Sequence, residues 1–151
     1  MFDWGDTPMA DFPGSKGKMC EWEAVRAVDG AKEALMFLSK RAKLYVATGA
    51  ANSTEKEIKA AFERVGLVRF ISGYFCKSNV GIEKGTSAFL LWILNKLGKQ
   101  PSQVTMVGDS LKNDIEPAQM LGIKTIWLST GQDSSQSHHV RKISSLRELC
   151  R

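Results

Sequence analysis

The 151-residue chain holds no uninterrupted apolar run approaching the ~20 residues that cross a bilayer, which excludes a membrane-spanning helix. Its N-terminus shows no basic stretch followed by an apolar one, so it reads as a sequence without a signal peptide. Cysteine is scarce. Cys20, Cys76 and Cys150 are widely spaced, odd in number and in no metal-binding pattern, so they read as reduced thiols of a cytoplasmic protein. Charge of one sign is not in great excess either: 21 Lys+Arg against 16 Asp+Glu leave a net +5. The basic residues come in short groups (Lys40, Arg41, Lys43; Arg141, Lys142), which fits a solvated surface better than a nucleic-acid groove. A positive field still favours anionic substrates. No internal repeat and no linker divides the chain.

What is present suits one folded domain over residues 1–151. A composition of 43% hydrophobic and 25% charged residues is ordinary for a globular protein and excludes a wholly disordered chain. A chain of this length hides roughly 68–70% of its unfolded surface, enough for a core without staples. Residues 8–27, with Pro8, Pro13, Gly14 and Gly17, read as a loop or minimal insertion, and the Ser- and Gln-rich 129–139 as a flexible loop.

Between the loops, strands alternate with helices. The spacing of Ala31, Leu35 and Leu38 predicts a helix over about Gly30 to Lys40. Leu44 to Ala47 is a short strand ending at Thr48-Gly49. Thr54 and Glu57 form a capping box ahead of Ile58, Ala61, Phe62 and Val65 at helical spacing, and Gly66 ends that helix. Val104 to Val107 predicts a strand ending at Gly108-Asp109, with a helix carrying Ile115, Ala118 and Leu121 behind it. Ile123 to Leu128 is a further strand. Such alternation implies a parallel sheet covered on both sides, in which ligands bind beyond the carboxyl ends of the strands. Three strand ends there lead into Asp3, Thr48 and Asp109, and Lys84 stands just before another helix.

Asp3-Trp4-Gly5-Asp6-Thr7, Thr48, Lys84 and Gly108-Asp109-Ser110-Leu111-Lys112-Asn113-Asp114 resemble, in order, the four motifs of the haloacid dehalogenase (HAD) superfamily. The resemblance runs from Asp3 to Leu128 and into the Ile143 to Leu146 segment. It implies a three-layer α/β/α Rossmann-like fold with a central, mostly parallel sheet and no separate cap domain. It implies a hydrolase, a phosphatase in the first instance, that is Mg²⁺-dependent and forms an aspartyl-phosphate on Asp3. A carboxylate nucleophile splits one difficult displacement into two easier ones. By resemblance, Asp3, the Gly5 carbonyl, Asp109 and Asp114 would hold Mg²⁺, a hard cation that takes oxygen ligands. Thr48, the N–H groups of Gly49 and Ala50, and Lys84 would meet the charge on the transferring phosphoryl oxygens. A two-component receiver domain also uses Asp, Thr, Lys and Mg²⁺ at strand ends. It places the phosphorylated aspartate mid-chain, however, where this sequence has Thr48.

Several features depart from the family's pattern. The place two after Asp3, where phosphatases carry an aspartate that protonates the leaving group, is Gly5. General acid catalysis contributes ~10²–10⁴-fold. Either Asp6 bends in as the acid, or the substrate has a leaving group that needs little protonation. Dehalogenases and phosphonate-cleaving relatives also lack the second aspartate. The alternative is a degenerate member that keeps the fold and acts by binding or self-association. Only Met1 and Phe2 precede Asp3, so the natural product is expected to begin upstream. With no cap, the site is expected to be open to phosphorylated small molecules or larger phosphorylated substrates. Ala88 to Leu94 is apolar throughout, with Phe89, Leu90, Ile93, Leu94 and Leu97 on one face; this is a buried helix or a homo-oligomer contact. The four tryptophans otherwise need no function, and His138 and His139 read as solvated.

Overall fold

A computed structural model describes residues 30–48, 54–82, 84–129 and 140–150. Its five described strands are β1 (Tyr45–Ala47), β2 (Gly73–Phe75), β3 (Thr105–Gly108), β4 (Lys124–Leu128) and β5 (Arg141–Ile143). They pair in parallel in two groups, β1 with β2 and β3 with β4 with β5. The helices are α1 (Ala31–Ser39), α2 (Glu55–Arg64), α3 (Lys77–Val80), α4 (Ser87–Leu97) and α5 (Glu116–Met120).

The two-residue period of the strands sorts their side chains into two cores. Val46, Tyr74 and Val107 join α1, α2 and the terminal turn Leu146–Cys150 in one cluster. Their neighbours Ala47, Phe75 and Met106 join α4 and α5 in the other. Successive residues of one strand point to opposite faces, so a helical layer lies on each side of the sheet. This is the three-layer arrangement expected from the sequence. Burial on both faces is why these strands are apolar rather than alternating.

Local signals set the helices. Thr54 Oγ1 accepts from the Glu57 N–H at 3.3 Å, the Glu57 carboxylate accepts the Thr54 N–H in return, and Ile58, Ala61 and Phe62 are buried. Gly66 follows with φ 73°, a left-handed turn that ends the helix cheaply only for glycine. Thr86 caps α4 and Gly98 closes it at φ 64°. Phe89, Leu90, Ile93 and Leu94 of its apolar run are buried inside the chain, while Leu91 stays exposed. Among the described residues no helix is long and apolar enough to cross a membrane. Among the described residues Cys76, buried, and Cys150, half-buried, form no disulfide.

Differences from the sequence reading are local. Leu44 and Val104 lie just outside their strands, Gly108 lies inside β3, and Ile123 precedes β4. The stretch between Thr48 and Lys84 holds α3 and a short 3-10 turn (Val68–Phe70) besides α2 and β2. The helix expected after Asp109 begins instead as a π-turn, Leu111–Ile115, and α5 stops before Leu121. Pro117 supplies the reason. Proline lacks an N–H, and its ring collides with the carbonyl four residues back, here Asn113, so a continuous α-ladder cannot form. The ladder widens, and the Ile115 N–H reaches the Ser110 carbonyl at 3.2 Å.

The Tyr74 hydroxyl is buried with no hydrogen-bond partner among the described residues. Burial first, then the carboxylates of Glu55 and Glu63, hold the phenol well above its ordinary value of 10.0. The native state binds this proton more tightly than the unfolded chain. The associated stability is therefore complete below about pH 10 and is lost as pH rises beyond it. Tyr74→Phe is expected to unfold in urea at the same or a slightly higher midpoint at pH 7, because it removes an unpaired buried hydroxyl. It is also expected to lose less stability than the wild type above pH 10; a destabilised Tyr74→Phe would contradict this.

Candidate active site

The carboxyl ends of β1 and β3 carry Thr48 and Asp109 as their next residues. Thr48 is 3% exposed, and its N–H donates to the Phe75 carbonyl at 2.9 Å. Asp109 is half-buried in the turn between β3 and the π-turn. Lys84 links the two segments. Its Nζ donates to the Ala47 carbonyl at 3.1 Å and pairs with Asp114 Oδ1 at 2.6 Å. The two side chains are only 6% and 1% exposed. A buried carboxylate must be paired or hydrogen-bonded, and both Asp114 oxygens are engaged: Oδ2 accepts the Ser110 N–H at 3.1 Å.

Gly108 makes that placement possible. The Asp114 side chain lies so close over its Cα that an added Cβ would stand 2.5 Å from Asp114 Cβ and Cγ and closer still to Oδ2. Gly85, beside Lys84, has φ +102°, and a Cβ there would meet Asn113 Oδ1 at 3.3 Å. Gly108 thus lets the π-turn lie against the end of β3, and Gly85 lets the Lys84 loop approach the π-turn. At the far side, Trp127 of β4, 4% exposed, donates its Nε1–H to the Asp109 carbonyl at 3.0 Å.

These bonds form one continuous chain. The Asp109–Ser110 peptide is held at its carbonyl by Trp127 and at its N–H by Asp114. The Ala47–Thr48 peptide is held at its carbonyl by Lys84 and at its N–H by Phe75. Lys84 and Asp114 join the two, so the chain runs from β4 across to β2 and ties the two strand groups together.

Of the residues singled out in the sequence, Thr48, Lys84, Asp109 and Asp114 come together at these strand ends. Asp3, Gly5, Asp6, Gly49 and Ala50 lie outside the described residues. Trp127, which nothing adjacent to it singles out, belongs to the constellation, as does the Ala47 carbonyl. The Gly108 glycine was visible as part of a motif, but its steric role was not. The donors offered by Asp109 and Asp114 are oxygens only, the chemistry a hard divalent cation takes. Among the described residues no group of three or more acidic, His or Cys side chains gathers that could hold such an ion.

The chain matches the family model of haloacid dehalogenase-like hydrolase over residues 14–136, a span that starts after Asp3, Gly5 and Asp6. It is similar to the phospholysine phosphohistidine inorganic pyrophosphate phosphatase of Danio rerio, 31% identical over 111 residues, covering 73% of this chain and 37% of that protein. It is also similar to the ribulose-1,5-bisphosphate 5-phosphatase of Halopiger xanaduensis, 27% identical over 126 residues, covering 83% of this chain and 52% of that one. The chain therefore spans about half or less of the length of these relatives. Among solved structures, an uncharacterized protein from Listeria monocytogenes serotype 4b matches with a TM-score of 0.85 at 21% identity, covering 99% of this chain and 92% of that one. The magnesium-bound YfnB protein of Bacillus subtilis matches with a TM-score of 0.70 at 22% identity, covering 82% and 53%. At these identities the structural likeness establishes the fold.

Proposed function

The chain belongs to the haloacid dehalogenase-like hydrolases, and from that premise we propose that it is a Mg²⁺-dependent phosphohydrolase acting through Asp3. The observation that carries the reading is the buried Lys84–Asp114 pair, whose ammonium also grips the β1 end beside Thr48. A cation, a hydroxyl residue and an acidic pair are thereby gathered where a parallel sheet presents its ligands. The two curated relatives named above are phosphatases, which favours phosphorus over carbon–halogen chemistry.

In the proposed reaction the Asp3 carboxylate attacks phosphorus as the bond to the leaving oxygen breaks. Water then attacks the aspartyl-phosphate, releasing inorganic phosphate and restoring the carboxylate. Thr48 and the N–H groups of Gly49 and Ala50 donate to the phosphoryl oxygens, and Lys84 places a fixed positive charge beside them. Asp3, the Gly5 carbonyl, Asp109 and Asp114 would hold Mg²⁺, directly or, for Asp114, through water. The ion supplies charge neutralisation that lets an anionic ester approach a carboxylate. Asp6 is assigned to protonate the leaving oxygen, since Gly5 cannot.

Hydrolysis of an activated aryl phosphate and of a simple alkyl phosphate, with and without Mg²⁺, tests this, with Asp3→Asn as the blank. Turnover is expected to vanish on chelation and to return with added Mg²⁺. Asp6→Asn is expected to slow the alkyl ester by ~10²-fold or more while sparing the aryl ester, whose leaving group needs little protonation. Equal small effects on both would remove Asp6 as the acid. Absence of Mg²⁺-dependent turnover would favour the degenerate, binding-only reading that Gly5 motivates.

A further inference from the structure

We propose that Trp127 is a positioning residue of this site, orienting both candidate metal-binding carboxylates through the single peptide that they share. The inference rests on the phosphohydrolase reading above and goes beyond it to a residue outside the four motifs.

The Asp109–Ser110 peptide is a rigid plane, so fixing both of its ends fixes its rotation. The Trp127 indole N–H holds the carbonyl at 3.0 Å, and Asp114 Oδ2 holds the N–H at 3.1 Å. Turning that plane would swing the Asp109 side chain attached on one side and break the Asp114 bond on the other. Hydrogen bonds in series polarise one another, so the indole also strengthens the Ser110–Asp114 bond that it does not touch.

The indole is itself held. Trp127 is buried, and parallel pairing sets it in register between Gly108 and Lys142. The Lys142 ammonium stands over its ring, 5.1 Å from the centroid. The row Gly108–Trp127–Lys142 thus crosses three strands at one level. It offers Asp114 a place without a side chain, Asp109 a donor, and the donor a cation against its face. Outer partners of this kind commonly change metal affinity by roughly 10–100-fold when removed.

The test compares the wild type with Trp127→Phe, which keeps an aromatic ring and loses the donor. The ¹⁵N amide resonances of Gly108 and Ser110 are followed through a Mg²⁺ titration, beside aryl phosphate turnover at each Mg²⁺ concentration. Trp127→Phe is expected to raise the Mg²⁺ midpoint about tenfold by both readouts. At saturating Mg²⁺ its kcat is expected to return close to the wild-type value with KM for the ester unchanged, a split that general loss of structure would not give. A folded Trp127→Phe whose midpoint stays within about twofold of the wild type overturns the inference. Should that variant fail to fold, the wild-type ¹⁵N indole resonance of Trp127 decides: it is expected to move with the Ser110 midpoint, and a stationary signal overturns the inference equally. A wild type with neither Mg²⁺-dependent shifts nor turnover defeats the phosphohydrolase reading and this inference with it. Normal wild-type binding with an unaffected variant defeats the inference alone.

Discussion

Lys84→Met is expected to lower aryl phosphate turnover by ~10²-fold or more and to lower the melting temperature by about 10 °C. The stability loss follows from what stays behind. Asp114 is 1% exposed, and its Oδ1 faces the Lys84 ammonium at 2.6 Å. Methionine fills much of the lysine's volume but leaves the carboxylate without its cation. Removing one partner of a buried ion pair costs about 3–5 kcal/mol. Water reaching in or protonation of Asp114 would relieve part of that cost, and either response would alter an oxygen proposed for the metal. The turnover loss is separate in origin, because Lys84 also fixes the Ala47 carbonyl and so the peptide leading into Thr48. Lys84→Met combined with Asp114→Asn separates the two effects. The pair of neutral side chains leaves an acceptor for the Ser110 N–H, so the double variant is expected to recover most of the melting temperature and none of the turnover. A Lys84→Met protein that melts with the wild type would contradict the buried pair.

Gly108→Ala is expected to cost about 2–3 kcal/mol in urea unfolding and to reduce turnover by ~10²-fold. One methyl group does this because the space is already taken by Asp114, 2.5 Å from where the Cβ would stand. Asp114 has little room to retreat. Its oxygens are bonded to Lys84 and Ser110, and its backbone N–H donates to the Ser110 carbonyl at 2.9 Å inside the π-turn. The glycine's backbone is not left-handed, so the penalty is steric and not conformational. A fully active, undestabilised Gly108→Ala would show that the carboxylate lies elsewhere. Gly66, where an added Cβ would meet nothing but φ is positive, is the instructive contrast, since strain there would come from the dihedral alone.

What the sequence discloses and what it conceals divide along physical lines. Thr54 and Glu57 disclose the start of α2 because a capping box is made within four residues. The family's motifs disclose Thr48, Lys84, Asp109 and Asp114 because the chemistry restricts residue type at each place. Their meeting follows from strand ends in a parallel sheet, and the described strands are indeed all parallel. Trp127 was not legible because its partner is eighteen residues away, in the turn that follows another strand. Which residue stands level with Gly108 is fixed by the crossover between β3 and β4, not by anything adjacent in the sequence. β2 was not placed because Gly73 is a poor strand former on its own; the Tyr45 ring lies over it from β1, with Cδ1 3.0 Å from where a Cβ would sit. β5 was missed for a related reason: two of its three residues, Arg141 and Lys142, are exposed and basic, leaving Ile143 as the sole apolar signal. The π-turn was hidden by a helical periodicity that Pro117 interrupts.

That turn also governs how this segment can change over time. Lys112 is exposed, and other side chains can replace it at little cost. Loss of a single codon between 111 and 113 is another matter, because it would rotate everything behind it by about 100° around the helix axis. The carboxylate would then leave its lysine although every letter of the remaining motif survived. Here substitutions can accumulate, but the number of residues cannot drift.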